Sequence, residues 1–425
     1  MRMCLTGDLG GYYTGAITGD RDQFGAKGDF VTSPEISQIF GELIGIWFIA
    51  EWISQGRPGK GVQLIEVGPG RGTLMDDMLR TIRRFPAMSN SIEAVFMVEA
   101  SRELRETQKN RLCGPDPQVV ESKVGHHCAS KYGEYPIVWA DSMKSIPIEP
   151  DKVPFIIAHE FFDALPIHTF QSAPVEAPQP ASSDSNVDKD NIINVINNID
   201  NDDDITRRSN GMAGNDEPAP EFRLVLSSST TRHSRYLPES SLRYRKLKAS
   251  PGSIIEVCPD ASLYASDFAA RIGGSPAHPK ATPSGAALIL DYGTSDTVPI
   301  NSLRGIRHHR IVSPFSAPGQ VDLSADVDFT AIAEAATLAS QGVEVHGPVP
   351  QGDFLMLMGI RERAAALAQA PGATEAAVRD AEKAWKRLVD KGPSGMGKVY
   401  KALAIVPEND GRRRPVGFGG DVADA

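Results

Sequence analysis

The run Leu64-Ile65-Glu66-Val67-Gly68-Pro69-Gly70-Arg71-Gly72-Thr73 sets a carboxylate inside an apolar strand pattern, followed by glycine at every second position before a helical pattern begins. Glycine reaches dihedrals that a Cβ forbids and lets main chain approach a bound molecule, so a ligand is expected here. The dinucleotide fingerprint needs G-x-G-x-x-G. Counted from Gly68 and Gly70, its third position is Thr73, and Gly72 falls one residue early. A nicotinamide cofactor is thereby disfavoured, and Glu66, two residues ahead of the first glycine, suits a ligand that carries positive charge.

Three further acids stand where chemistry is done in an α/β sheet. Glu99 ends the next apolar run, 33 residues after Glu66, where a carboxylate can accept hydrogen bonds from two ribose hydroxyls. Asp141 follows Val138-Trp139-Ala140, where an acceptor can take an adenine amino hydrogen, although aspartate is also a common turn residue. In Ile156-Ile157-Ala158-His159-Glu160-Phe161-Phe162-Asp163-Ala164-Leu165-Pro166, Glu160 falls just past the carboxyl end of a buried strand. If the next turn is helical, Glu160 and Asp163 share a face and can clamp one cationic group. The plainer alternative has Glu160 capping neighbouring amides and Phe161 and Phe162 in the core. His159 is either a proton acceptor or a satisfied structural histidine.

The elements that must position these residues are legible in outline. Ser33-Pro34, followed by Ile36, Ile39, Phe40, Leu43, Ile44 and Trp47, predicts a helix with a capping serine, proline at its first position and Gly56 near its stop. Strands are predicted at 62–67, 94–99, 137–140, 155–159 and 286–291, with helices at 74–84 and 102–112 between the early ones. That alternation predicts a doubly wound parallel sheet. Beyond Asp291 come a strand-like 342–347, a helical 354–367, a helix from Thr374 with Trp385 and Leu388 on its apolar side, and an edge strand at 398–406. The Gly/Pro-rich 272–284 reads as a flexible loop. Met1 to Thr6 reads as the end of a helix entering the Gly10-Gly11-Tyr12-Tyr13 turn, as though upstream sequence were missing.

Of the 425 residues 41% are apolar, enough for a large core, and the formal charge is -10. Residues 176–221 hold 11 acidic against 3 basic side chains, so -8 of that charge lies in one Asn, Asp, Ser and Pro-rich segment that reads as a disordered insertion. The nearly neutral remainder offers no basic footprint for nucleic acid, and no apolar run approaches the ~20 residues of a transmembrane helix. Cys4, Cys113, Cys128 and Cys258 are too dispersed for a zinc pair and too few for a disulfide framework, which suits a reducing compartment. His126-His127-Cys128 has no second cluster to complete it, and no metal is expected.

The glycine motif with Glu66 resembles the first motif of S-adenosylmethionine-dependent methyltransferases. Four segments carry a closer likeness: Gly28-Asp29-Phe30-Val31-Thr32-Ser33-Pro34-Glu35-Ile36-Ser37-Gln38-Ile39-Phe40-Gly41-Glu42, Glu66 to Thr73, Ala158 to Pro166, and Glu256-Val257-Cys258-Pro259-Asp260. They resemble the signatures of the mitochondrial MidA-like family, the protein arginine methyltransferase and complex I assembly factor group. The likeness extends through Asp322 to Phe329 and Gln351 to Leu355 but excludes the acidic insertion. It implies an α/β class I methyltransferase fold, Rossmann-like with a mostly parallel sheet, an N-terminal helical lid and inserted and C-terminal elements. It also implies S-adenosyl-L-methionine as donor and symmetric dimethylation of an arginine on a core subunit of NADH:ubiquinone oxidoreductase, in the mitochondrial matrix, early in assembly. Glu66, Gly68, Gly70 and Gly72 match the family's cofactor loop and Glu99 its acidic strand end. Asp29, Phe30, Ser33, Pro34 and Glu35 match a segment expected to cover the site.

On this reading residues 1–60 form the lid, 61–175 and 222–300 the two parts of the core, 301–407 the elements completing it, and 408–425 a flexible tail. No targeting peptide of the family's kind is read in the sequence as given, so the matrix is expected by resemblance. The sequence also lacks the paired glutamates in one hairpin of better-known arginine methyltransferases. Glu160, aided by Asp163 or Glu35, is therefore expected to hold the guanidinium. The alternatives left open are a non-catalytic assembly chaperone retaining a cofactor pocket and a small-molecule methyltransferase.

Overall fold

The computed structural model describes residues 1–8, 10–15, 28–115, 117–172 and 224–419. The segment read as a disordered insertion lies outside them. The first six strands are β1 (Val62–Val67), β2 (Ile92–Val98), β3 (Val120–Glu121), β4 (His126–Ala129), β5 (Pro136–Ala140) and β6 (Val153–His159). Then come the hairpin β7 (His168–Gln171) and β8 (Ile254–Val257), the long β9 (Ala286–Thr294), and β10 (Arg304–Arg307), β11 (Arg310–Val312) and β12 (Asp322–Ser324), which form a small sheet of their own. β13 (Val327–Asp328), β14 (Val343–Pro350) and β15 (Tyr400–Pro407) return to the main sheet.

That sheet runs β14-β15-β9-β6-β1-β2-β5-β4-β3. Its centre, β9-β6-β1-β2-β5, is parallel throughout, while β15 and β4 join antiparallel. This is the strand order of a class I methyltransferase sheet, with β15 as the reversed strand slotted between β9 and β14. The segment expected as an edge strand is therefore interior. Its run Ala402-Leu403-Ala404-Ile405-Val406 is fully buried, as a strand with neighbours on both sides and layers on both faces must be.

Register gathers the chemistry. Val67 pairs with Val98 on one side and Ala158 on the other, and Val98 with Ala140, so β1, β2, β5 and β6 end level. Gly68, Glu99, Asp141 and Glu160 thus emerge along one edge. His159 pairs with Leu290 of β9, and Tyr400 with Tyr292, which brings Asp291 and two phenols to the same edge.

Alternation along each strand divides the apolar residues between two cores. Leu64, Val95, Met97, Phe155, Ile157 and Leu288 face a layer built on the helix Gln38–Ser54 and the helix Thr73–Ile82. Ile65, Phe96, Ile156, Ile289 and Leu403 face the helices Pro259–Gly273 and Phe329–Ala339. Phe40, Trp47 and Phe48 are completely buried, so Gln38–Ser54 is a structural layer and not part of a cover. It packs closely on its neighbour at Gly41, where a Cβ would come within 2.5 Å of the Asp77 Cβ.

The helix predicted from Ser33 is two pieces. Ser37 is extended at φ -154, and its hydroxyl accepts the Ile39 N–H at 3.3 Å, capping Gln38–Ser54, while Ser33–Ile36 forms a separate turn. The break swings that turn over the strand ends. The expected flexible loop is anchored too. Lys280 extends its buried ammonium to the carbonyls of Lys152, Arg271 and Ser284 at 2.8, 2.9 and 3.2 Å, and burial lowers its pKa to about 8. Residues 413–418 of the expected tail also dock. Trp47 Nε1 donates to the Val416 carbonyl at 3.0 Å and Arg413 grips Glu51 with both guanidinium nitrogens at 2.9 and 2.6 Å.

Candidate functional site

A cavity of about 340 Å³ opens at the carboxyl edge of the parallel strands. Of the residues expected to act there, Glu66, Gly68, Gly70, Glu99, Asp141, His159, Glu160, Phe30, Pro34 and Glu35 line it. Gly72, Asp29, Ser33 and Asp163 do not. Gly72 takes a left-handed φ of +74 as the cap of the helix Thr73–Ile82, with its back to Gln108. Asp29 is buried against the Tyr12 hydroxyl at 2.7 Å and the His308 N–H at 2.8 Å, which ties the N-terminal segment to the turn between β10 and β11.

One half of the cavity is built by β1, β2 and the glycine turn. Glu66 is buried at the tip of β1. It accepts a backbone N–H from Met75 at the start of the following helix, and its Oε2 has no partner. Burial, reinforced by the Glu99 charge, raises its pKa well above the ordinary carboxylate range. Glu99 accepts the Ser101 N–H at 2.8 Å on one oxygen and Gln108 Nε2 at 3.2 Å on the other. The Ala100 N–H is a third donor to this carboxylate, which still has acceptor capacity open, and burial pushes the group up to about 7. Gln108 also donates to the Gly70 carbonyl at 2.6 Å and accepts from Trp139 Nε1 at 2.9 Å, so one side chain braces the turn, β2 and β5 together. Gly68 stands at φ +69, where a Cβ would press on the Phe161 ring at 2.7 Å. Asp141 is exposed on the rim and paired with Arg105, whose Nε also donates to the Glu99 carbonyl at 2.8 Å.

The other half is a bank of acids and phenols. Glu160 takes the left-handed φ of +49, rare for a residue with a Cβ and a strain that the surroundings must maintain. Its Oε1 accepts the Ser33 N–H at 3.3 Å, and the Tyr400 hydroxyl bonds to it as well. Burial first, then the Asp163 charge and more weakly that of Glu35, push its pKa up to about 8. His159 Nε2 is 3.2 Å away without hydrogen-bond geometry. Burial lowers this imidazole to about 3, so it is neutral and no ion pair forms.

Asp163 is held behind Glu160, where it accepts from the Tyr292 hydroxyl, and it does not stand beside Glu160 as half of a clamp. The reason lies in the turn. It is a 3₁₀ turn, Phe162–Ala164, whose amides converge on Asp291: Oδ2 accepts the N–H groups of Phe161, Phe162 and Asp163 at 3.1, 2.9 and 3.3 Å. Tyr13 donates to the buried Asp322 at 2.9 Å, and Arg304 lies 4.7 Å above the Tyr292 ring. From the N-terminal side, Arg71 Nη1 reaches Glu35 at 3.0 Å, and the second Glu35 oxygen is buried without a partner. Glu35, Glu160, Asp163 and Asp291 thus crowd one region whose mutual repulsion an entering cation would relieve.

Sequence reasoning missed Gln108, Asp291, Tyr292, Tyr400 and Tyr13. Asp291 and Tyr292 carried a usable signal, since they end a predicted strand; Tyr13 and Tyr400 reach the site from the two ends of the chain.

The profile of a family described as "Putative S-adenosyl-L-methionine-dependent methyltransferase" matches residues 43–349. The chain is 34% identical over 418 residues to the protein arginine methyltransferase NDUFAF7, mitochondrial, of Xenopus tropicalis, covering 96% of this chain and 81% of that protein. It is 33% identical over 412 residues to the human protein of the same name, covering 96% and 79%. In structure it is similar to a Burkholderia thailandensis protein solved with S-adenosyl-homocysteine bound, with a TM-score of 0.62 and 20% identity over 99% of this chain and 87% of that one. The partnerless Oε2 of Glu66, the remaining acceptor capacity of Glu99 and the glycine turn between them fit a donor with an ammonium at one end and ribose hydroxyls at the other. On its sheet order, its carboxyl-edge cavity and these likenesses, the chain belongs to this family of S-adenosyl-L-methionine-dependent methyltransferases.

Proposed function

We propose that this protein methylates an arginine side chain of another protein, and that the acceptor is a core subunit of mitochondrial complex I, dimethylated symmetrically in the matrix during assembly. The names of the relatives support the arginine acceptor and the mitochondrial setting. The observation that carries the reading is Glu160: a buried carboxyl on strained backbone, bonded to Tyr400, among acidic neighbours, in the cavity wall beside the glycine turn.

Glu66 takes the donor's ammonium, Gly68 and Gly70 leave room for its chain, Gly72 sets the helix that follows, Glu99 takes the ribose hydroxyls, and Asp141 stands at the adenine end. When bound, the donor supplies a methyl group made electrophilic by a sulfonium. Everything else is positioning. Arginine stays protonated, its pKa above about 12, so its lone pairs are delocalised and one nitrogen must be aimed. Glu160 grips the guanidinium, with Glu35 facing it, and steadies the positive charge that passes to the acceptor nitrogen. Asp163, Tyr292 and Asp291 hold the turn on which Glu160 stands. The methylated nitrogen then sheds a proton, which Glu160, with its pKa near 8, can hold. Asp29, Phe30, Ser33 and Pro34 keep the covering segment seated. Neutral His159 packs under it against Phe40, with ring centroids 5.1 Å apart.

The test is transfer from S-adenosylmethionine to the recombinant complex I core subunit, read by mass spectrometry. Glu160→Gln should retain donor affinity by calorimetry and lose about 10²–10³ in kcat, the usual loss on removing one transition-state partner. Unchanged turnover would remove Glu160 from the mechanism. Methylation of metabolites alone would replace the protein acceptor.

A further inference from the structure

Beside the cofactor cavity runs a second, more open groove of about 900 Å³, which shares Pro34, Glu35, Arg71 and Thr73 with it. The Glu35–Arg71 pair therefore stands on the divide between the two spaces. The outer wall of the groove is the helix Glu375–Val389. Arg71, Arg111, Lys383, Lys386 and Arg387 line the groove against the acids Glu35, Asp380 and Asp390, so its lining carries more positive than negative side chains. Glu35 is engaged by Arg71, and Lys386 pairs with Glu382. Arg111, Lys383 and Arg387 make no ion pair among the described residues, and Lys383 and Arg387 are exposed.

We infer that this groove seats an acidic, extended segment of the acceptor protein, flanking the arginine that is methylated. The inference rests on the proposed arginine acceptor. Charge sets the occupant, since unpaired cations along a groove attract carboxylates over several ångströms and select against basic chains. Continuity sets its direction. A polypeptide lying against the helix Glu375–Val389 passes Glu35 as it crosses into the cavity, so that one side chain reaches Glu160 while its neighbours stay outside. Arg71 then has two roles: it holds Glu35 and offers its charge to both spaces.

The experiment uses the full chain and a fluorescein-labelled peptide with one central arginine between glutamates, with binding followed by anisotropy at low salt. Comparison probes carry lysines in place of the glutamates, or are a short oligonucleotide of equal charge. The acidic peptide should bind best, weaken as salt rises, and bind the Lys383→Glu/Arg387→Glu variant about tenfold less tightly. Equal binding to wild type and variant, equal binding of the lysine probe, or no binding of the acidic peptide would each overturn the groove assignment. Tighter binding of the oligonucleotide would overturn it in favour of a phosphate backbone. Methyl incorporation measured in parallel reads the proposed function separately. Groove binding without methylation defeats the arginine reading and leaves the groove standing, whereas methylation indifferent to peptide charge does the reverse.

Discussion

Glu160 is a carboxyl that is mostly protonated near neutrality, yet its proposed partner is a cation. Burial raises its pKa to about 8, and an entering guanidinium must draw the proton off before the pair can form. For an always-charged acceptor, kcat/KM is therefore expected to rise with pH, to level off above about 8, and to lose that rise in Glu160→Gln. A profile flat from pH 6 to 9 in the wild type would show that the carboxyl does not titrate in the working step. The places of Glu66, Glu99 and Glu160 were legible in the sequence because each is set by its own strand: Glu66 inside an apolar run, Glu99 and Glu160 just past the end of one. Asp163 was misplaced because its position depends on the kind of turn that follows, and a 3₁₀ turn anchored on Asp291 is set by a residue 128 positions away. Tyr13 and Tyr400 left no local trace, since nothing in their own neighbourhoods records that the two ends of the chain meet at this edge.

The parallel strands were readable from continuous apolar runs bounded by glycine and aspartate, and their registers follow from burial on both faces. What could not be read was partnership. The run 398–406 looked like an edge, although its unbroken Ala402 to Val406 stretch was the mark of a strand enclosed on every side. The helix from Ser33 was read as one because a capping serine and proline open it, but Ser37 competes as a second cap and wins for Gln38–Ser54. That helix depends on close approach to its neighbour at Gly41. Gly41→Val would drive a branched side chain into Asp77, and overpacking of this kind should cost about 1–3 kcal/mol in a urea melt. Because Asp77 is not among the residues lining the cofactor cavity, donor affinity should survive in the folded fraction; a variant as stable as wild type would mean that the two helices separate freely.

Several buried carboxyls hold protons that the unfolded chain would release. Glu160 is pushed to about 8, and Glu99 and Asp322 to about 7, against ordinary values near 4. With more protons bound in the native state, the free energy of unfolding falls as pH rises through these values. His159, lowered to about 3 from 6.5, acts in the opposite sense, but its contribution is complete above 6.5 and fades only on acidification. Lys280, lowered to about 8, acts only above that pH. Between about pH 6.5 and 8 the carboxyls dominate, and the urea midpoint of the full chain should be lower at pH 8 than at 6.5. A midpoint that rises across this window would mean that the buried acids are ionised in the native state. The placement of Tyr400 on β15, between β9 and β14, bears on how the site is composed. In chain order the glycine turn, Glu99 and Asp141 precede Tyr400, the phenol that bonds Glu160, by 259 positions or more. On the proposed roles, the turn that holds the donor is encoded far ahead of the phenol that completes the acceptor side, so the two halves of the site depend on widely separated parts of one chain.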